Sequence, residues 1–295
     1  MIDKLEYFIA LAAERHFGRA AERLGVTQPT LSAGIRQLEE RLGVTLVNRG
    51  SRFQGITSEG ERVLTWARRI VEDVRTMHDE IRSVRLGISG HLRIAVIPTA
   101  LAVVSRLTTP FFERHRGVTF EIVSQTSSDI IKGIEDFEID LGITYLDDDR
   151  LGRIDTQSLY DERYCLVTTR GNPFADQEEV TWAEAASIPL CLLSNTMQNR
   201  KILNGLLDSS GAPFETVLES NSMIALIAHV RTGRFATIMP FRSAEILGLG
   251  DPMRAIPIVA PNAAYRIGLV AAKRDPRPPL VAAFWSEATE AGLNR

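Results

Sequence analysis

The sequence predicts an α/β protein in three parts: a small helical head, one long helix, and a body in which strands alternate with helices. Apolar residues recur at helical spacing from Leu5 to Leu42, punctuated by Gly25 and Gly43. No proline interrupts the about 28 residues after Ser58, and an apolar side chain returns there every three or four positions. From Leu92 onward, short apolar runs of strand type are separated by amphipathic stretches. A length of 295 residues suits two domains, or a small head on a two-lobed body.

In the head, Asp3 with Glu6 three residues on is placed to cap a first helix carrying Leu5, Phe8, Ile9 and Ala12 on one face. A second helix is expected from Gly18 to Leu24, closed by Gly25. Thr27 then caps a third, with Pro29 in its first turn and Leu31, Ile35, Leu38 and Leu42 as its apolar stripe, ended by Gly43. Two helices joined by a three-residue turn have the form of a helix-turn-helix, whose second helix presents its N-terminal residues to base edges in the major groove. Gln28, Thr30, Ser32, Ala33 and Arg36 take its leading side; Gln pairs bidentately with adenine, and Ser or Thr reaches phosphate or base. A plain helical hairpin with polar faces has the same periodicity. Two short apolar runs flank Arg49-Gly50-Ser51-Arg52 and predict a hairpin wing that lays Arg49 and Arg52 against phosphate or into a minor groove.

Ser58 followed by Glu61 is a capping-box signature for the long helix. Val63, Ala67, Ile70, Val74, Met77, Ile81 and Val84 are spaced 4, 3, 4, 3, 4, 3, which makes three heptads of a and d positions. A helix of about 40 Å has no cover of its own for that stripe, and a second copy of the same helix is the simplest one. These seven residues are therefore the candidate dimerisation set. Gly87, Ser89 and Gly90 come next as a hinge.

The charge is distributed unevenly. Residues 1–90 hold 14 basic and 12 acidic side chains, while residues 91–295 hold 20 and 25. Between Arg15 and Arg52, seven Arg face three Glu. A mildly basic head on an acidic body suits a DNA-binding module joined to a small-molecule domain. The N-terminal segment lacks the basic-then-apolar order of a secretory signal, and no apolar run approaches the ~18 residues of a membrane span, so a cytoplasmic protein free of membrane is expected. Two cysteines, Cys165 and Cys191, fit a reducing compartment and have no metal-type spacing.

The body opens with a buried-strand pattern at residues 92–97, and further strands are expected at 119–124, 141–144, 164–168, 189–193, 236–239 and 267–271. The intervening amphipathic stretches argue for parallel strands.

Taken together, the strings FIALA (8–12), HFGRAAERL (16–24), VTQPTLS (26–32), IRQLE (35–39), LGVTLV (42–47) and TSEG (57–60) resemble the winged helix-turn-helix and linker start of LysR-type transcriptional regulators. The length of the chain downstream and the order of its segments also suit that family, so the resemblance covers essentially the whole sequence. It implies a winged helix-turn-helix DNA-binding domain at 1–57 and a linker helix for dimerisation, with its hinge, at 58–90. An effector domain like a periplasmic binding protein occupies the remainder, its first lobe at 91–161 plus 266–295 and its second at 162–265. The resemblance further implies double-stranded promoter DNA as partner, a homodimer or homotetramer, a small-molecule effector in the cleft, no cofactor and no metal. The DNA-facing set is Gly18, Arg19, Thr27, Gln28, Pro29, Thr30, Ser32, Ala33, Arg36, Arg49, Ser51 and Arg52. Two departures stand out: Ala33-Gly34 where members often carry Arg after the Ser, and Gly18 where they often carry Ser.

Strand ends that run into helix N-termini expose backbone N–H groups able to hold an anion. Thr99, Ala100, Ser127, Ser128, Thr196, Met197, Gln198 and Asn221 lie at such points and form the candidate effector set, though each is equally placed for an ordinary helix cap. Donors outnumber formal charges there, so the expected ligand is a small anion, most simply a carboxylate. The strings RFQG (52–55), LCLL (190–193) and ESNSM (219–223) are similar to a subgroup associated with formate dehydrogenase genes, which implies formate.

Competing classes leave fewer traces. No dinucleotide, phosphate-loop or nucleophile-elbow motif occurs, and His16, His78, His91, His115 and His229 are dispersed with no pair four apart, so no enzyme is expected. Asp147-Asp148-Asp149 reads as a solvated loop. A redox-sensing regulator would use Cys165 and Cys191, which sit inside apolar runs typical of inert buried thiols. A non-regulatory small-molecule-binding protein would leave residues 1–90 without purpose.

Overall fold

A computed structural model describes the chain apart from residues 50–52, 148–150, 153 and 291–295. Ser51, Arg52, Asp148 and Asp149, and the side chains of Arg49 and Val84, therefore lie outside the described residues. The chain divides into two compact units, Met1–Leu86 and Gly87–Arg295.

The first unit contains α1 (Ile2–Glu14), α2 (Phe17–Arg23), α3 (Gln28–Leu42), β1 (Val47–Arg49), β2 (Phe53–Ile56) and α4 (Ser58–Leu86). Phe8, Leu11, Leu31, Ile35, Leu38 and Leu46 are its buried centre. Asp3 is not the cap of α1: the helix starts one residue earlier, behind Met1, and Asp3 sits in its first turn, where its charge favours the helix dipole instead. Thr27 caps α3 as expected, its Oγ1 accepting from Thr30 N at 3.3 Å. Gly25 and Gly43 close their helices at φ +65° and +70°. The cap of α4 is Thr57 rather than Ser58, because Thr57 Oγ1 accepts from Gly60 N at 2.9 Å, so the expected Ser58–Glu61 box is not formed. Gly60 is required there, since a Cβ would stand 2.3 Å from the Leu46 carbonyl oxygen.

The stripe on α4 divides. Val63 and Ala67, with Leu64 and Val71, pack into the core of their own unit, which corrects their assignment to a dimer contact. Ile70, Met77 and Ile81 stay exposed, and Val74 is half-buried.

The second unit holds two lobes. The first is a five-stranded sheet in the order β4 (Gly117–Ser124), β3 (Ser89–Val96), β5 (Leu141–Tyr145), β13 (Tyr265–Ala272) and β6 (Ile154–Glu162). It is covered by α5 (Leu101–Arg114), α6 (Ser127–Glu135) and α11 (Pro279–Glu290), with Phe111 and Phe284 packed at 5.0 Å between ring centres. The second lobe has a sheet ordered β11 (Thr237–Pro240), β7 (Tyr164–Thr169), β12 (Met253–Val259), β8 (Val180–Thr181), beside the pair β9 (Leu190–Leu193) and β10 (Thr216–Ser220). Its helices are α7 (Trp182–Ala186), α8 (Gln198–Ser209), α9 (Met223–Val230) and α10 (Phe241–Ile246).

The strands are mixed rather than all parallel. β3 runs parallel to β4 and β5, but β13 is antiparallel to β5 and β6, and β7 is antiparallel to β11 and β12. The reason lies in strands that residue pattern hides: β6 carries Asp155, Gln157 and Asp161 among its apolar residues, and β12 contains Pro257. The chain passes between lobes at Arg163, which separates β6 from β7, and again between β12 and β13.

Candidate functional site

In the first unit, α3 presents Gln28, Pro29, Thr30, Ala33 and Arg36 as an exposed row, with Thr27 exposed at its head and Ser32 half-buried. Thr27 is already engaged, bonding Thr30 through both N–H and hydroxyl, the latter at 2.8 Å. Gly34 faces inward: a Cβ there would lie 2.6 Å from the Tyr7 ring, so this glycine sets how closely α3 approaches α1. Gly18 has a similar reason, because His16 caps α2 by accepting from Arg19 N at 3.2 Å, and a Cβ on Gly18 would meet that imidazole at 3.1 Å. Arg19 is exposed and donates to the Glu14 carbonyl at 2.6 Å, which holds its guanidinium at the C-terminal end of α1. The wing strands pair Val47 with Ile56 and Arg49 with Phe53. Glu39 of α3 anchors them, its Oε1 accepting from Leu46 N at 2.9 Å and Val47 N at 3.2 Å. That anchor escapes helical periodicity, in which Glu39 is one more polar position.

In the second unit, a cavity of about 400 Å³ opens between the lobes. The first lobe contributes Pro98, Thr99, Leu101, Ala102 and Ser124, and the second contributes Met197, Asn221, Ser222, Met223, Ile224, Met239, Ser243 and Leu247. None of these side chains is charged. Of the candidate effector set, Thr99, Met197 and Asn221 come together here. Ala100, Ser127, Ser128, Thr196 and Gln198 are absent from the lining: Ala100 is packed into the first lobe's core, Ser127 is buried, and Ser128 and Thr196 are turned to solvent. The first turn of α5 has no side-chain cap, and Leu101 and Ala102 of that turn line the cavity. Across from it, Ser222 caps α9, accepting from Ala225 N at 3.4 Å. The three methionines, Ile224 and Leu247 supply an apolar, adaptable wall.

Arg200 is buried and ties α8 to its strands, donating to the Leu193 carbonyl at 2.9 Å, Glu219 at 2.9 Å and Thr216 at 3.1 Å. This fixes the turn from β9 into α8 that delivers Met197 to the cavity.

Directly behind Thr99 lies a buried polar cluster. Tyr145 of β5 and Tyr164 of β7 both donate to Glu162 Oε1, at 2.5 and 3.1 Å, and Asn199 Nδ2 of α8 donates to Tyr145 OH at 3.3 Å. Burial pushes the Glu162 carboxyl up to about 7, against the pull of Tyr145, Tyr164 and Thr99 toward ionisation. Burial likewise raises Tyr145, Tyr160 and Tyr164, which stay neutral. Thr99 bears on Glu162, yet Thr99 Oγ1 and Glu162 Oε2 each lack a well-formed hydrogen bond.

Cys165 and Cys191 are both buried, in β7 and β9, and burial raises both thiols. Among the described residues no group of three His, Cys, Asp or Glu could hold a metal, and no helix is long and apolar enough to cross a membrane.

A family model described as LysR substrate binding domain matches residues 85–292, and one described as bacterial regulatory helix-turn-helix protein, lysR family, matches residues 2–61. The DNA-binding transcriptional dual regulator OxyR of Escherichia coli (strain K12) is 30% identical over 278 residues, covering 91% of this chain and 88% of its own. The HTH-type transcriptional regulator IlvR of Caulobacter vibrioides is 29% identical over 296 residues, covering 99% and 98%. A full-length OxyR variant from Pseudomonas aeruginosa shares the fold with a TM-score of 0.78 at 22% identity, over 100% of this chain and 96% of that one. CbnR complexed with its target DNA gives 0.69 at 23%, over 99% of each chain.

Proposed function

The chain belongs to the LysR family of DNA-binding transcriptional regulators with an effector-binding domain, and from that premise we propose that it reads its promoter through α3 and the wing while the interlobe cavity takes a carboxylate with a sizeable apolar body. The cavity carries this reading. Two helix N-termini and the hydroxyls of Ser124 and Ser222 offer a carboxylate its donors, while Met197, Met223, Met239, Ile224 and Leu247 surround the rest of the molecule with apolar surface. Formate has too little body for this space: at about 30 Å³ of liquid volume per water-sized group, it would leave most of the 400 Å³ unfilled. The exposed Ile70, Met77 and Ile81, with half-buried Val74, are the part of α4 we assign to a second copy of the chain, as a homodimer that can pair into a homotetramer.

Relatives named as hydrogen peroxide-inducible activators raise the thiol-sensor alternative. Buried thiols raised away from ionisation, in separate strands, are the opposite of the exposed thiolate such sensing needs.

The test is fluorescence anisotropy of the full-length protein on its own upstream DNA and on scrambled DNA at ~150 mM salt, with carboxylates graded from formate to branched and aromatic acids. Tight binding to the upstream fragment, shifted by a larger carboxylate and not by formate, is expected. Ser124→Ala should weaken that ligand about fivefold and leave ligand-free DNA binding unchanged. Equal weak binding to both DNAs overturns the regulator reading, and a response to formate alone overturns the size argument.

A further inference from the structure

The carboxyl of Glu162 sits at the crossing between the lobes, where it joins groups from both. Tyr145 and Thr99 belong to the first lobe; Tyr164 and Asn199 belong to the second. Two further interlobe contacts flank it: Ser243 Oγ donates to the Thr99 carbonyl at 2.6 Å, and the Arg242 guanidinium stands over the Tyr160 ring at 4.9 Å. The groups around Glu162 are Tyr145 on β5, Tyr160 on its own strand, Tyr164 on β7, Tyr265 opposite it in register on β13, Thr99 before α5, and Asn199 on α8. Arg200, the cation next in sequence on α8, bonds to α8 itself, β9 and β10. Arg242 acts on Tyr160.

We propose that Glu162 is a proton-operated latch between the two lobes, with Thr99 as the element that transmits its state to the effector cavity. When the carboxyl is protonated, the cluster is neutral and tolerates a dry, closed arrangement; the hydrogen on Oε2 then has Thr99 Oγ1 as its nearest candidate acceptor. When the proton leaves to water, a negative charge remains in a place where hydroxyls and an amide are its neighbours, and separation of the lobes lets water reach it. Protonation therefore favours closure, and ionisation favours opening. A carboxyl held near 7 when closed and near its ordinary 4.5 when hydrated makes the window of this switch pH 4.5 to 7, with closure complete at the acid end and lost as the pH rises. The latch needs no effector, so it stands or falls apart from the carboxylate proposed for the cavity.

Hydrogen–deuterium exchange of the full-length protein at about pH 5.5 and about pH 7.5, with labelling times scaled to the intrinsic rate, tests it. Peptides over Thr99–Val103 and Met197–Leu203 should lose about tenfold in protection at the higher pH, and Glu162→Gln should hold the protected level at both. Unchanged wild-type protection, or a pH dependence that survives in Glu162→Gln, overturns the proposal. If that variant does not fold, Tyr164→Phe decides instead: loss of a donor to the ionised carboxyl should move the wild-type transition to higher pH, and an unmoved or lowered transition counts against the latch.

Discussion

The two units fix their polar side chains over very different spans of chain. In the first, the bonds that matter are local: His16 to Arg19, Thr27 to Thr30, and Glu39 to Leu46 join residues three to seven apart. In the second, Tyr145 meets Glu162 across 17 positions, Asn199 meets Tyr145 across 54, and Ser243 meets Thr99 across 144. A surface that must meet DNA in one rigid piece is built from neighbours in sequence. A cleft whose walls must shift relative to each other draws mostly on distant segments, because the chain crosses between the lobes at only a few points; Glu162 and Tyr164, on either side of the crossing at Arg163, are the local exception.

That contrast can be broken at Gly60. Its replacement by Ala drives a Cβ toward the Leu46 carbonyl, a backbone atom that side-chain rotation cannot relieve. Chemical denaturation should show a loss of about 3 kcal/mol, DNA affinity should fall with the displaced wing, and ligand binding in the second unit should persist. Equal damage to both units would show them to be one cooperative structure. A smaller effect is expected at the exposed Arg36: Arg36→Ala should cost about 1–3 kcal/mol of DNA affinity with the melting temperature unchanged. The smallest is the response to peroxide. With both thiols buried, DNA affinity should be the same before and after treatment at a concentration that oxidises an exposed thiol, and a shifted affinity would restore Cys165 or Cys191 as a sensor.

Locality also explains what could be read from residues alone. Thr27, Gly25, Gly43 and the stripe through Leu31, Ile35 and Leu38 mark α3 because caps and periodicity act within a few residues. Thr57 was obscured by its neighbour Ser58, which offers the same hydroxyl one position on, and geometry alone decides between them. In the cavity, Thr99, Met197 and Asn221 were legible as strand ends, but Met223, Met239 and Ser243 look like any core or helix residue until the lobes are assembled. Glu162 gave no signal at all, lying beside Asp161 in a strand of mixed polar and apolar residues where a solvated carboxylate is the ordinary expectation. Gly34 stood out only as a departure from the family pattern, and the Tyr7 ring shows why a glycine is there: it marks tight packing of α3 on α1.

The burial of Cys165 and Cys191 has a practical side. They are the chain's two cysteines, so its surface offers no native attachment point for maleimide chemistry. A cysteine introduced at an exposed position becomes a single addressable handle without first removing the native pair. Reporter dyes placed one on each lobe would turn the separation of those lobes into a distance that can be followed molecule by molecule.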